Sequence, residues 1–267
     1  MFRLIELYGW YTVLTPELLV VAAGVALLYA KAGNVQPNSE GIFGSLGWNR
    51  QASFYVGVIC MYFGYGGILS VLAKESIDYY VLQLCVRYMG MIPLFIAGTP
   101  EYIRKGLVSK LPGGQKLLWS EKFGLFAAFV FFLTLSFILL PAVYNTLMTM
   151  VFLRILVHVL LLASAWLMWE ALLHPGMIRQ QREKIRTKLM VLGSILLFPV
   201  CMLMIGSDYV VYQYPQSLLA NLCVSPSSEQ LSLVFRIGST SAFGGMLLMA
   251  VQQLSFVFMN RLSRLQQ

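Results

Sequence analysis

Apolar residues fall in long blocks along this chain, not in strict alternation. Blocks bounded by charges or turn residues cover about 11–30, 52–73, 79–98, 122–141, 147–173, 188–207 and 237–260. Each is long enough to cross roughly 30 Å of hydrocarbon at 1.5 Å per helical residue. Seven such blocks predict an all-α polytopic membrane protein with seven transmembrane helices. The intervening segments are short and polar: 31–50 is interrupted by Gly, Asn and Pro, and LPGGQ at Leu111 to Gln115 is a turn signal. No intervening segment is large enough to fold alone, so 1–267 reads as a single seven-helix membrane domain. It shows no fixed-period repeat and no low-complexity tract. Met1 to Trp10 lacks the basic, apolar and small-residue order of a cleaved leader, so the first block is read as a retained span.

Composition excludes the water-soluble class. The chain is 58% apolar and 11% charged, where a soluble domain carries roughly 25% charged residues. A soluble fold of this length would leave large apolar patches exposed. The net charge of +8 is explained by where the cations lie. Lys31, Arg50, Arg104, Lys105, Lys110, Lys116, Lys122, Arg179, Arg182, Lys184, Arg186, Lys188, Arg261 and Arg264 fall on one side, and Arg3, Lys74 and Arg236 on the other. That split of 14 to 3 puts the N-terminus outside and the C-terminus in the cytoplasm. It accounts for the charge with no nucleic-acid partner. The basic loops also suit contact with anionic headgroups of the bilayer.

Ionisable groups within spans are informative, because each costs about 2.5–3.5 kcal/mol near the midplane on insertion scales. Tyr80, Leu84 and Arg87 are spaced i, i+4, i+7 on one stripe of the third helix, and Arg154 and His158, spaced i, i+4, share a stripe of the fifth. Glu17, in the first helix, lies at a comparable depth. One reading gathers these into a polar cluster in the outer half of the bilayer, with Glu17 neutralising an arginine and His158 facing the same cavity. The other has each arginine reaching out to headgroups along its own stem. Glu170, near the cytoplasmic end of the fifth helix, is expected at the interface, and His174 in a loop.

The remaining residue types argue against enzymatic and metal chemistry. There is no H-E-x-x-H, G-x-S-x-G, phosphate-binding loop or dinucleotide fingerprint. Only two histidines are present, 16 residues apart, which is about 24 Å along a helix, so they cannot share a site. Cys60, Cys85, Cys201 and Cys223 form no closely spaced pair and read as small hydrophobes. The methionines read as ordinary filler of an apolar bundle.

Several motifs resemble those of one family. TPELL at Thr15 to Leu19, YVLQLCVRYMGMIPLFIAGTP at Tyr80 to Pro100, WEALLHP at Trp169 to Pro175, DYVVYQYP at Asp208 to Pro215, NLCVSP at Asn221 to Pro226 and FGGM at Phe243 to Met246 are similar, in this order, to the CtaG family. Those are seven-helix assembly factors of bacterial caa-type cytochrome c oxidase, implicated in maturing its copper site. The resemblance implies the seven-span fold and a respiratory context. It also implies histidines where this chain has Tyr80, Leu84, Leu139 and Arg154, and an Asp-Gln pair near Thr240 and Ser241. Gln83 and His158 alone match. Copper takes imidazole or thiolate donors, which these replacements do not supply, and an arginine repels a cation.

The chain therefore reads as a non-enzymatic integral membrane accessory or assembly factor of a haem-copper oxidase, CtaG-like with a degenerate metal site, in the bacterial plasma membrane. Its partners would be other membrane proteins, oxidase subunits among them. No catalytic residue, metal ligand or cofactor is assigned, copper alone being left open. The candidate intramembrane polar cluster is Glu17, Tyr80, Gln83, Arg87, Arg154 and His158. Two alternatives stand: a binder or transporter of a small anion or lipid through an outer-face cavity, and a copper-delivery protein with a rearranged Met/His site. Gly64, Gly66, Gly67, Gly244 and Gly245 hint at a small-residue surface for partner helices.

Overall fold

The computed structural model describes residues 9–34, 48–100, 121–173, 179–206 and 242–265, and every regular element among them is helical. Six helices are long and apolar enough to cross a membrane, and a seventh crossing is counted if Lys122–Ile138 and Pro141–Thr149, bent by 83° at their junction, form one span. The chain is a multi-pass membrane protein.

The helix breaks are what position the polar groups. The first span divides into α1 (Trp10–Leu14) and α2 (Pro16–Asn34), because Pro16 lacks an N–H and suits only a first helical turn. Thr15 between them takes φ 41. The second span divides into α3 (Trp48–Tyr65) and α4 (Gly67–Glu75) at Gly66, and Gly67 has φ +64. The two breaks dock on each other. The Gly67 amide donates to Thr15 Oγ1 at 3.0 Å, and the Tyr62 hydroxyl donates to the Leu14 carbonyl at 2.7 Å.

The third span is the centre of the bundle: 72% of its most apolar stretch is buried, against 11% for the first span. It comprises α5 (Ile77–Leu84), a π-helical segment Cys85–Met91 and α6 (Ile92–Gly98). Pro93 explains the widening, since in an unbroken α-helix its ring would clash with the carbonyl four residues back, that of Met89. A π-helical turn ahead of it relieves the clash.

Two sequence-based boundaries are corrected. The apolar blocks 122–141 and 147–173 are redistributed into α7 (Glu121–Ile138), a short α8 (Pro141–Thr149) and α9 (Val151–Leu172). Pro141 pushes the residue before it out of the helical region, and Leu140 accordingly has φ −68 and ψ 131. The sixth helix, α10 (Arg179–Gly206), starts nine residues ahead of the block at 188, because Arg, Gln, Glu and Lys are good helix formers that hydropathy does not register. Arg182 there is buried, not in a solvated loop. The seventh helix is α11 (Ala242–Leu265). Its expected start at 237, the pair Thr240 and Ser241, His174 and Cys223 lie outside the described residues.

Trp169, Tyr88, Tyr144, Phe131, Phe132 and Phe256 are fully buried in a core shared by the third to seventh spans. Glu170 is also inside, at 8% exposure. The interfacial position expected for it fails because Met168 to Leu172 is buried on every side. Cys85 and Cys201 are buried free thiols and Cys60 is half-buried.

Candidate functional site

Tyr80 and Gln83 lie near the start of α5, and Arg154 and His158 near the start of α9. Tyr80 on α5 is 5% exposed and meets the ring of Tyr144 on α8 edge-on at 5.3 Å. The 83° bend at Pro141 is what brings α8 across this end. Gln83 is buried one turn further along α5.

Arg87 lies in the π-helical segment, ten residues from the start of α5, or about 15 Å along a helix axis. It is half-buried. Its Nε donates to the Gly64 carbonyl, and its guanidinium carbon stands 4.5 Å above the Tyr65 ring centroid, a cation–π contact. Gly64 permits this approach: a Cβ there would fall 2.9 Å from Arg87 Cγ.

Tyr88, the next residue, takes a hydrogen bond from the Arg87 side chain and also reaches α9. Its hydroxyl is 2.9 Å from His158 Nδ1, and its carbonyl accepts from Trp169 Nε1 at 3.0 Å. The π-helical turn changes the local hydrogen-bond spacing, and the indole supplies a donor to a carbonyl within it. Arg154 and His158 are half-buried on α9. The charges of Arg87 and Arg154 both act on the Tyr80 phenol and on the His158 ring.

Glu17 does not join these groups. It is exposed on α2 and accepts from the Tyr11 hydroxyl. Sequence reasoning missed Tyr88 and Tyr144. Tyr88 was visible at i+8 from Tyr80, but it falls off the stripe that Tyr80 and Arg87 share in a straight helix, and its contact with His158 depends on how α9 packs against the third span. Tyr144 depends on the bend at Pro141. Asp78 was also missed: it is 2% exposed and accepts from the Gly244 amide.

The glycines proposed as a partner surface are used inside the bundle. Gly64 faces Arg87, Gly66 faces Thr15 and Leu18, Gly67 faces Tyr62, and Gly244 and Gly245 face Asp78, Met204 and the Cys201 carbonyl. A separate groove of about 600 Å³ between the π-helical segment and α11, lined by Met89, Leu94, Val251, Leu254 and Phe258 among others, is apolar apart from Ser255 and holds none of the candidate residues. Among the described residues, no three of His, Cys, Asp and Glu are grouped to hold a metal ion.

The family model for the cytochrome c oxidase caa3 assembly factor (Caa3_CtaG) matches residues 27–260. Comparison with curated proteins and with solved structures gives no match. The chain belongs to the Caa3_CtaG family.

Proposed function

With membership of the Caa3_CtaG family as the premise, we propose that this chain is a non-enzymatic assembly factor or accessory subunit of a haem-copper cytochrome c oxidase in a bacterial plasma membrane. Its N-terminus faces outside and its C-terminus the cytoplasm. It acts through contact with other membrane proteins and not as a carrier of copper.

The observation that carries the second half of this reading is the state of His158. Its Nδ1 is engaged by the Tyr88 hydroxyl at 2.9 Å, and the charges acting on its ring are the two guanidinium groups of Arg87 and Arg154. A copper ion needs several imidazole or thiolate donors, and like charges nearby oppose a cation. One imidazole held by Tyr88, with two arginine charges acting on it, does not fit the metal, so no step is routed through copper.

The test is a deletion strain followed by complementation. Assembled oxidase, read from its haem absorbance and subunit content in membranes, is expected to fall on deletion and to be restored by the His158→Ala chain as well as by the native one. Unchanged oxidase in the deletion strain would overturn the assembly role. About one Cu per purified chain, lost in His158→Ala, would overturn the copper-free reading and restore a metal site.

A further inference from the structure

The groove of about 600 Å³ between the third span and α11 has Met89 and Leu94 on one wall and Val251, Leu254, Ser255 and Phe258 on the other. Leu254 is 65% exposed, so the groove opens to the outside of the bundle. Its one polar side chain is satisfied, since the Ser255 hydroxyl donates to the Val251 carbonyl at 2.7 Å. The occupant is therefore apolar where it lies against these walls.

Length decides between the apolar occupants that a bilayer offers. From Val251 to Met259 the α11 wall is about 12 Å long, a little under half of the roughly 30 Å of hydrocarbon. A partner helix crosses both leaflets and would meet the groove over less than half its length. An acyl chain belongs to one leaflet and matches it.

The groove ends at a basic belt. α10 and α11 run antiparallel: Gly245 lies against the Cys201 carbonyl, and Gln253 Nε2 donates to Ser194 Oγ at 2.8 Å. Counting along both helices from that hydrogen bond sets Lys188 level with Met259 and Arg186 level with Arg261. Arg186 Nε is buried with no hydrogen-bond partner among the described residues. On α11, Arg261 follows Leu254 by seven residues and Phe258 by three, the spacing of a single helix stripe. Positions 179–188 and 261–265 together carry seven Lys and Arg against one acid, Glu183.

From the groove and the belt at its end we propose that this face retains an anionic phospholipid, with one acyl chain in the groove and its phosphate level with Lys188 and Arg261. A chain inside the groove gains dispersion contacts that it lacks in the open bilayer. Met89 and Met259 line it with adaptable thioethers. Basic residues at the interface select an anionic headgroup over a zwitterionic one. The site is independent of the oxidase role, and its test does not read oxidase.

Trp169 stands behind both walls and reports on the groove. Its Nε1 donates to the carbonyl of Tyr88, the neighbour of Met89, at 3.0 Å, and its ring lies 5.0 Å from that of Phe256. The full-length chain, with Trp10, Trp48, Trp119 and Trp166 replaced by Phe, is placed in phosphatidylcholine bilayers. These contain increasing amounts of phosphatidylglycerol or phosphatidylcholine brominated on the acyl chain, and quenching of Trp169 fluorescence is measured. Half-quenching is expected at a lower mole fraction of the brominated phosphatidylglycerol. Arg261→Gln should narrow that gap by about fivefold, the weight of one basic residue at an anionic surface. Ser255→Phe, whose ring would fill the groove, should remove the preference. Leu28→Phe, at an exposed position of α2, should leave it unchanged. Arg261 lies beyond the groove, so Arg261→Gln decides the matter if Ser255→Phe does not fold. Equal quenching by the two lipids, or a preference that Arg261→Gln leaves intact, would overturn the site.

Discussion

Asp78 and Gly244 are 166 residues apart in sequence, yet the Gly244 amide donates a 2.7 Å hydrogen bond to Asp78 Oδ1 in the buried interior. Gly244 is in the first turn of α11, whose amides have no acceptor within the helix. The carboxylate of the third span therefore caps the seventh, where the helix dipole also favours a negative charge. Glycine is needed on the other side of the bond, since a Cβ at position 244 would fall 2.7 Å from that oxygen.

Removing this cap should be costly. Asp78→Ala is expected to destabilise the bundle by about 2 kcal/mol, the range for a bond to a charged group, and Asp78→Asn by less, since the amide oxygen still accepts. Denaturant unfolding in mixed micelles, followed by circular dichroism, measures both. Equal stability of Asp78→Ala and the native chain would exclude the cap as a support of the fold.

Glycine substitutions should separate by neighbourhood. At Gly98 a Cβ would meet Phe54 N and Cβ at 2.7 Å, whereas at Gly24 nothing lies within 4 Å. Gly98→Ala is expected to cost about 1–3 kcal/mol through overpacking. Gly24→Ala should be neutral or stabilising by up to about 1 kcal/mol from helix propensity. The same unfolding assay ranks them.

Tyr88 and Trp169 form a relay whose two bonds can be cut separately. Tyr88→Phe removes the hydroxyl beside His158 Nδ1 and should cost about 1 kcal/mol. Trp169→Phe removes the donor to the Tyr88 carbonyl and part of a fully buried ring, and should cost about 2–4 kcal/mol from the cavity and the lost donor together. A larger loss from Tyr88→Phe than from Trp169→Phe would contradict this ordering.

Orientation has its own test. A single cysteine placed between Glu101 and Glu121, a stretch carrying Arg104, Lys105, Lys110 and Lys116, is expected to resist an impermeant thiol reagent added to intact cells and to react once the membrane is opened. Labelling from outside would invert the topology.

That the chain crosses the membrane six or seven times was legible in the sequence, because hydrocarbon thickness acts on each segment alone. Arg87, Arg154 and His158 stood out for the same reason: an ionisable group in an apolar block is visible without knowing its neighbours. Which groups meet was a different matter. Arg87 reaches Gly64 on the second span and Tyr88 reaches His158 on α9. The bend at Pro141 lays Tyr144 on Tyr80, and the docked breaks at Thr15 and Gly67 fix the first two spans together. Asp78, one residue into an apolar helix, gave no sign in sequence that its acceptor would serve a helix 166 residues away. A span's existence follows from the solvent it crosses, but its rotation and its breaks depend on hydrogen bonds and close contacts with other spans, and those are properties of pairs of segments that only the packed bundle brings together.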